Sequence, residues 1–123
     1  MFNSCENLTT FTSDLPNLKN GLDMFASCYK LSSFSSDISS LTNGEGMFAS
    51  CKLDAPSLAN ILHTINTTIE ASTITIGLGI DDTDEARQAL AEAIWCKDWN
   101  EVNQEFANKN WTVTWEFNGA PTA

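Results

Sequence analysis

MFNSCENLTTFTSDLPNLKNG (residues 1–21), MFASCYKLSSFSSDISSLTNG (24–44) and the shortened MFASCKLDAPSL (47–58) superpose almost residue for residue. Met1, Met24 and Met47 are 23 residues apart, as are Phe2, Phe25 and Phe48, and Cys5, Cys28 and Cys51. The first two copies also match at Leu8/Leu31, Phe11/Phe34, Asp14/Asp37, Leu15/Ile38, Leu18/Leu41 and Gly21/Gly44. A fixed period of this length predicts stacked units, each burying its apolar edge against its neighbours. Such a stack presents a surface, whereas an enzyme needs a convergent pocket.

Within a unit, MF-x-x-C suits one helical or 3₁₀ turn packing inward. L-T-T-F (Leu8 to Phe11) and L-S-S-F (Leu31 to Phe34) suit short strands, since Thr and Ser tolerate a half-exposed pleat. A polar turn with one aliphatic pair follows, and Gly21 and Gly44 close the units at reversals expected to need positive φ. The third copy breaks after Cys51. Leu58, Ile61, Leu62, Ile65 and Ile69 then form one helical stripe, and Ser72–Gly77 alternates as a strand. Asp82-Thr-Asp-Glu85 reads as a capping box for a helix burying Ala86, Ala89, Leu90, Ala93 and Ile94. Asp98-Trp-Asn-Glu101 starts another, with Trp99, Val102 and Phe106 inward. Trp111–Phe117 is a strand with Trp111, Val113, Trp115 and Phe117 on its core face, and Asn118–Ala123 is a frayed tail.

The fold class expected is α/β: a right-handed solenoid of short parallel strands, with C-terminal helices and a final strand. One domain is expected over 1–123, comprising two full repeats and one truncated repeat (1–55) and a helix–strand–helix–helix–strand cap (56–118). The alternative is a separate α+β domain after residue 55.

The MF-x-x-C-x-x-L-x-x-F units resemble BspA-type leucine-rich repeats, whose units usually read A-F-x-x-C-x-x-L-x-x-I. Met stands here for the small residue and Phe for the last aliphatic, which enlarges the interior. The resemblance covers residues 1–55. Residues 56–123 are similar, more loosely, to pieces that finish such arrays in proteins of gut bacteria and their phages. It implies a curved parallel-strand solenoid, an adhesion or recognition role at a cell surface or virion, and no catalytic residues.

Sixteen acidic residues oppose six basic ones, a net charge of −10. Residues 1–55 carry six acids and three lysines, whereas 56–123 carry ten acids against Arg87, Lys97 and Lys109. That field repels phosphate backbones and anionic headgroups, so neither nucleic acid nor membrane is an expected partner. No apolar run reaches the roughly 18–20 residues needed to span a bilayer, and residues 1–30 lack a signal-peptide pattern. The expected context is an intracellular or virion protein, or a piece of something longer.

No cofactor or metal is expected. Cys5, Cys28 and Cys51 share one phase and should form a column about 4.8 Å per rung, reading as buried reduced thiols, although a bridge between two rungs is geometrically allowed. No C-x-x-C spacing supports zinc. His63 falls off the apolar stripe of its helix, and a thiolate needs an electropositive setting that this acidic chain lacks. Cys96 is the thiol best placed to react, weighed against a core position beside Trp95 and Trp99. Gly77-Leu-Gly79 lacks the third glycine of a dinucleotide loop, and Asp81, Asp82, Asp84 and Glu85 would repel a pyrophosphate. Those acids also lack the calcium-loop pattern. Asn7, Asn66 and Asn110 begin sequons that chance explains.

Surfaces remain. Thr9, Thr10, Ser32, Ser33, Ser35 and Ser36 are expected to stack as a polar ladder on the exposed strand face, suited to a protein or glycan. The first unit lacks an upstream neighbour, so Met1, Phe2, Leu8 and Phe11 form a candidate self-association edge leading to a homo-oligomer. The function expected is a non-enzymatic binding or adhesion module. The alternative is a capping or assembly module of a longer repeat protein or a virion.

Overall fold

A computed structural model describes residues 4–15, 17–68, 70–118 and the backbone of 120–121. Met1, Phe2 and Ile69 of the sequence expectations lie outside the described residues. The order is β1 (Thr10–Phe11), β2 (Ser33–Phe34), β3 (Gly44–Leu53), α1 (Ala55–Thr64), β4 (Ser72–Leu78), α2 (Asp84–Ala93), α3 (Trp99–Ala107), β5 (Trp111–Phe117) and β6 (Ala120–Pro121). β1 and β2 pair in parallel; β3, β4 and β5 form a parallel sheet with β6 antiparallel at its end. The architecture is mixed α/β with parallel strands, three helices and no closed barrel among the described residues.

The period seen in the sequence is the period of the hydrogen bonding. Thr10 pairs with Ser33 and Phe11 with Phe34, each one 23-residue step apart. The N–H groups of Gly21, Asp23, Phe25 and Ser27 donate to Asn43, Glu45, Met47 and Ala49 of the next copy, at 2.7–3.0 Å. The intervening N–H groups of Met24, Ala26 and Cys28 turn back to the carbonyls of Gly21, Asp23 and Phe25. Alternate amides therefore serve the neighbouring copy and the local turn, which satisfies the backbone without a helix. Of the helical or 3₁₀ turn expected at MF-x-x-C, copy two keeps the i→i−3 bonds as a run of turns without a helix, and copy three departs from it by lying within β3.

The kink that makes this possible is periodic too. Ser4, Ser27 and Ser50, each just before a cysteine, have φ of 62, 61 and 62°, and Asp23 and Gly46 share the next left-handed phase at 52 and 68°. Gly21 and Gly44, expected at positive φ, are not left-handed. A Cβ at Gly21 would meet Met47 Sδ at 2.7 Å, and one at Gly44 would meet Ile74 Cγ1 at 2.7 Å. Close approach of layers, not a reversal, requires those glycines. The left-handed residues also bulge β3: from Gly44 to Phe48 it takes four residue steps while β4 takes two, Ile74 to Ile76.

Two phenyl columns fill the interior. Phe11 stacks on Phe34 (5.9 Å, 10°) and Phe25 on Phe48 (5.5 Å, 4°), and the columns interlock edge to face, as Phe34 and Phe48 do at 4.9 Å and 72°. Such pairs add about 0.5–1.5 kcal/mol beyond area burial. One cluster of buried residues runs from Met24 to Phe117, taking in Ile74, Ile76, Val102, Phe106, Trp111 and Trp115.

Helix α1 covers the open edge of the second copy. Ser57, Asn60 and Thr64, on one helical face, meet the backbone of alternate residues: Phe34 N–H donates to Ser57 Oγ (2.8 Å), Asn60 Nδ2 to Ser36 O (2.9 Å), and Ile38 N–H to Thr64 Oγ1 (3.4 Å). Side chains thus replace part of a third strand and cap the edge. The apolar stripe Leu58, Ile61, Leu62 and Ile65 is buried as expected, and Asp54 caps the helix by accepting from Ser57 N–H at 3.0 Å.

In α2 the cap is Thr83 rather than Asp82. The buried face is Leu90, Ala91 and Ile94, with Ala89 and Ala93 exposed and Ala86 half-buried, a correction to the expected face. Asp98 caps α3, accepting from Glu101 N–H at 2.8 Å, while Glu101 Oε1 accepts from Lys97 N–H at 3.2 Å and so does not close the reciprocal half of a capping box. Trp111, Trp115 and Phe117 are buried on one face of β5, Val113 is half-buried, and Ala120–Pro121 in the expected frayed tail pairs back on β5.

Candidate interaction surfaces

Outward-facing polar side chains repeat with the backbone register. Thr9, Thr10, Ser32 and Ser35 are exposed and Ser33 is half-buried on β1, β2 and their flanks. Ser36 is not on that face. Burial alternates through Phe34, Ser36 and Ile38, which point inward together, and Ser36 is 0% exposed with no hydrogen-bond partner for its Oγ among the described residues. The expected ladder therefore has five members at the surface.

A second row, missed in the sequence reading, lies along the turns. Asn43 Nδ2 donates to Asn20 Oδ1 (3.1 Å), Thr42 Oγ1 to Lys19 O (3.0 Å), and Asp37 N–H to Asp14 Oδ1 (3.2 Å), all one period apart. Each asparagine also accepts from the amide two residues on, Leu22 for Asn20 and Glu45 for Asn43. These are Asx turns, and the signal that could have found them was the identical N-G dipeptide at 20–21 and 43–44.

At the first copy's outer face Leu8, Phe11, Leu15 and Leu18 are half-buried, whereas their equivalents Leu31, Phe34, Ile38 and Leu41 are 0% exposed. The difference is the absence, among the described residues, of an upstream layer.

All four cysteines are free thiols. The column exists: Cys28 is within hydrogen-bonding and coulombic reach of Cys5, and Cys51 of Cys28. Burial pushes the Cys28 and Cys51 thiols up, Cys51 the further, and Cys51 Sγ–H donates to Phe25 O at 3.3 Å. Cys96 is buried, and desolvation, then Glu101, Glu105 and Asp98, raise it as well. Cys96 and the exposed His63 line one cleft of about 240 Å³ with Leu62, Ile94, Trp95, Glu105 and Lys109. No hydrogen bond joins them among the described residues, and acids beside a buried thiol oppose the thiolate a nucleophile needs. Lys109 Nζ donates to the carbonyls of Leu62 (2.6 Å) and Ile65 (3.3 Å), closing the end of α1, and its burial lowers it.

Gly77 and Gly79 have packing roles. A Cβ at Gly77 would meet the Cys51 and Phe48 carbonyls at 2.6 and 2.7 Å, and one at Gly79 the Lys52 carbonyl at 2.9 Å. Of the acids beyond them, Asp82 and Asp84 pair with Arg87 and Asp81 accepts from Asn118 Nδ2. Among the described residues no three His, Cys, Asp or Glu side chains are grouped to hold a metal ion, and no helix is long and apolar enough to cross a membrane. A polar cleft of about 530 Å³ lies along Thr42, Asn66–Thr68 and Glu70–Ser72.

Cys96 is buried, as its core alternative has it, and its neighbour Trp95, which the sequence pattern leaves unassigned, is 83% exposed at φ 63°. Trp95 N–H donates to Glu92 O and Cys96 N–H to Ala91 O, a Schellman closure of α2 with tryptophan in the position usually held by glycine. That conformation costs a residue bearing a Cβ about 1 kcal/mol.

The chain matches no family model, no curated protein and no solved structure.

Proposed function

We propose that this chain is a non-enzymatic binding module: a short right-handed solenoid of the BspA leucine-rich-repeat type whose outer rows contact a protein or glycan at a cell surface or on a virion. The observation that carries this reading is the registered set of outward polar groups. Thr10 lies beside Ser33 and Asn20 beside Asn43, each held by parallel backbone pairing. Short hydroxyl and carboxamide side chains on a fixed backbone lose little rotamer freedom when they bind, and they offer both donors and acceptors. The test is a screen of glycans and extracellular proteins against the immobilised chain, with Thr9→Arg/Ser32→Arg/Ser35→Arg as the comparison. The triple variant should melt like wild type and lose the captured ligand. Retention of every ligand by the variant sinks the proposal.

A second reading, an assembly or capping module, is favoured by the half-buried Leu8, Phe11, Leu15 and Leu18. Another 23-residue unit laid on that face would bury them as copy two buries its own residues. Light scattering at rising concentration tests self-association through it: a strict monomer at high concentration removes the homo-oligomer.

A further inference from the structure

We propose that Trp95 and the cleft beside it dock an arginine- or lysine-bearing segment of a protein partner. This goes beyond the polar rows, since it uses the ends of α1, α2 and α3. Trp99 is half-buried, and Trp111 and Trp115 are 2% and 9% exposed, so Trp95 alone among the tryptophans is presented to solvent. Glycine would fit the left-handed position without strain, so fold stability does not account for an indole there. Its own amide donates to Glu92 O and that of Cys96 to Ala91 O, which holds the backbone carrying the indole, and tryptophan is enriched among the residues that dominate interface energetics.

Charge selects the partner. The acids placed near the cleft are Asp98, Glu101 and Glu105, whereas Asp81, Asp82, Asp84 and Glu85 lie at the opposite, N-terminal end of α2, where Asp82 and Asp84 engage Arg87. Glu105 lines the cleft itself, and Asp98 and Glu101 act on the Cys96 thiol in its wall. Lys109 and His63 line the cleft as well, the Lys109 ammonium being tied to the Leu62 and Ile65 carbonyls, and Lys97 follows Cys96 in the chain. A guanidinium over the indole face would gain a cation–π contact, for which tryptophan is the best ring. Its aliphatic stem would lie on Leu62 and Ile94 in the cleft.

The probe is a fluorescent Arg/Gly-alternating decapeptide, with Glu/Gly and Ser/Gly decapeptides as controls, titrated into the whole chain. Binding is read by anisotropy and by the indole N–H resonances in a ¹⁵N spectrum. The expected result is selective binding of the arginine peptide, the Trp95 indole signal moving most, and about fivefold or greater weakening in Trp95→Gly. Trp95→Gly should melt no lower than wild type, and Trp95→Asn, which also tolerates the left-handed backbone, serves as the second variant. Equal binding by both variants, equal binding of the glutamate peptide, or no binding of the arginine peptide overturns the proposal. So does an uncharged oligosaccharide that shifts Trp95 when the peptide does not. The arginine substitutions in the polar rows leave this site intact, so the two readings fail separately.

Discussion

Two buried serines, truncated identically, should move stability in opposite directions. Ser57 is 2% exposed; its Oγ accepts from the buried Phe34 amide at 2.8 Å, and its hydroxyl donates to Asp54 Oδ1 at 2.6 Å. Ser57→Ala strands the Phe34 N–H where neither strand nor solvent reaches it, and an unpaired buried donor costs roughly 1–3 kcal/mol. A loss of about 2 kcal/mol is expected, equivalent to a fall in Tm of about 8 °C for a domain of this size. Ser36 is 0% exposed and its Oγ has no partner among the described residues, so Ser36→Ala removes a desolvated hydroxyl and a gain of about 1 kcal/mol is expected. Urea denaturation followed by circular dichroism measures both, with an unchanged m-value showing that the transition itself is unaltered. Equal destabilisation by the two variants would refute the reasoning. It would mean that α1 covers the β2 edge by volume alone and that its side chains do not replace strand hydrogen bonds.

Gly77→Ala should destabilise by about 3 kcal/mol, because its Cβ would collide with the backbone of Phe48 and Cys51, which cannot swing aside; thermal melting checks it, and a neutral result would mean β3 and β4 can separate. Native protein at pH 8 should react with a thiol reagent at the half-buried Cys5 well before Cys28, Cys51 or Cys96, as mass spectrometry of labelled peptides would show. Because burial raises those three thiols, the folded chain keeps protons that the unfolded chain releases near pH 8.5. Their contribution is full below that pH and is lost as pH rises through the native values, so the urea midpoint should fall above about pH 9. Lys109→Met should lower stability by about 1 kcal/mol by uncapping α1, read by the same denaturation.

The residue pattern located most of the layers because the 23-residue period is a local signal: Phe, Cys and Leu recur at one phase, and that phase is the inside. It also placed the β5 core face, the α1 stripe and the Asp98 cap, all of which follow from periodicity or capping chemistry. It did not foresee Ser4, Ser27 and Ser50 in the left-handed region, since serine carries no preference for it; the Ser4 and Ser27 amides are held by carbonyls of the next copy, and the Ser50 amide by Glu116 Oε1 at 2.6 Å. Ser36 was assigned to the surface on composition, although the alternation through Phe34 and Ile38 already placed it inside. Nothing in the residue pattern foretells the exposure of Trp95, because the left-handed turn past the end of α2 is set by its closing hydrogen bonds.

What the sequence determined by itself is the repeat, its apolar phase and the acidic surface, because each is a property of residues counted along the chain. Tertiary structure alone decided which amides serve the neighbouring layer, how α1 takes over an unfinished strand edge, and where an indole is left in solvent. Those outcomes depend on which groups remain unpaired once the copies pair, and a pattern of residues along the chain does not encode that.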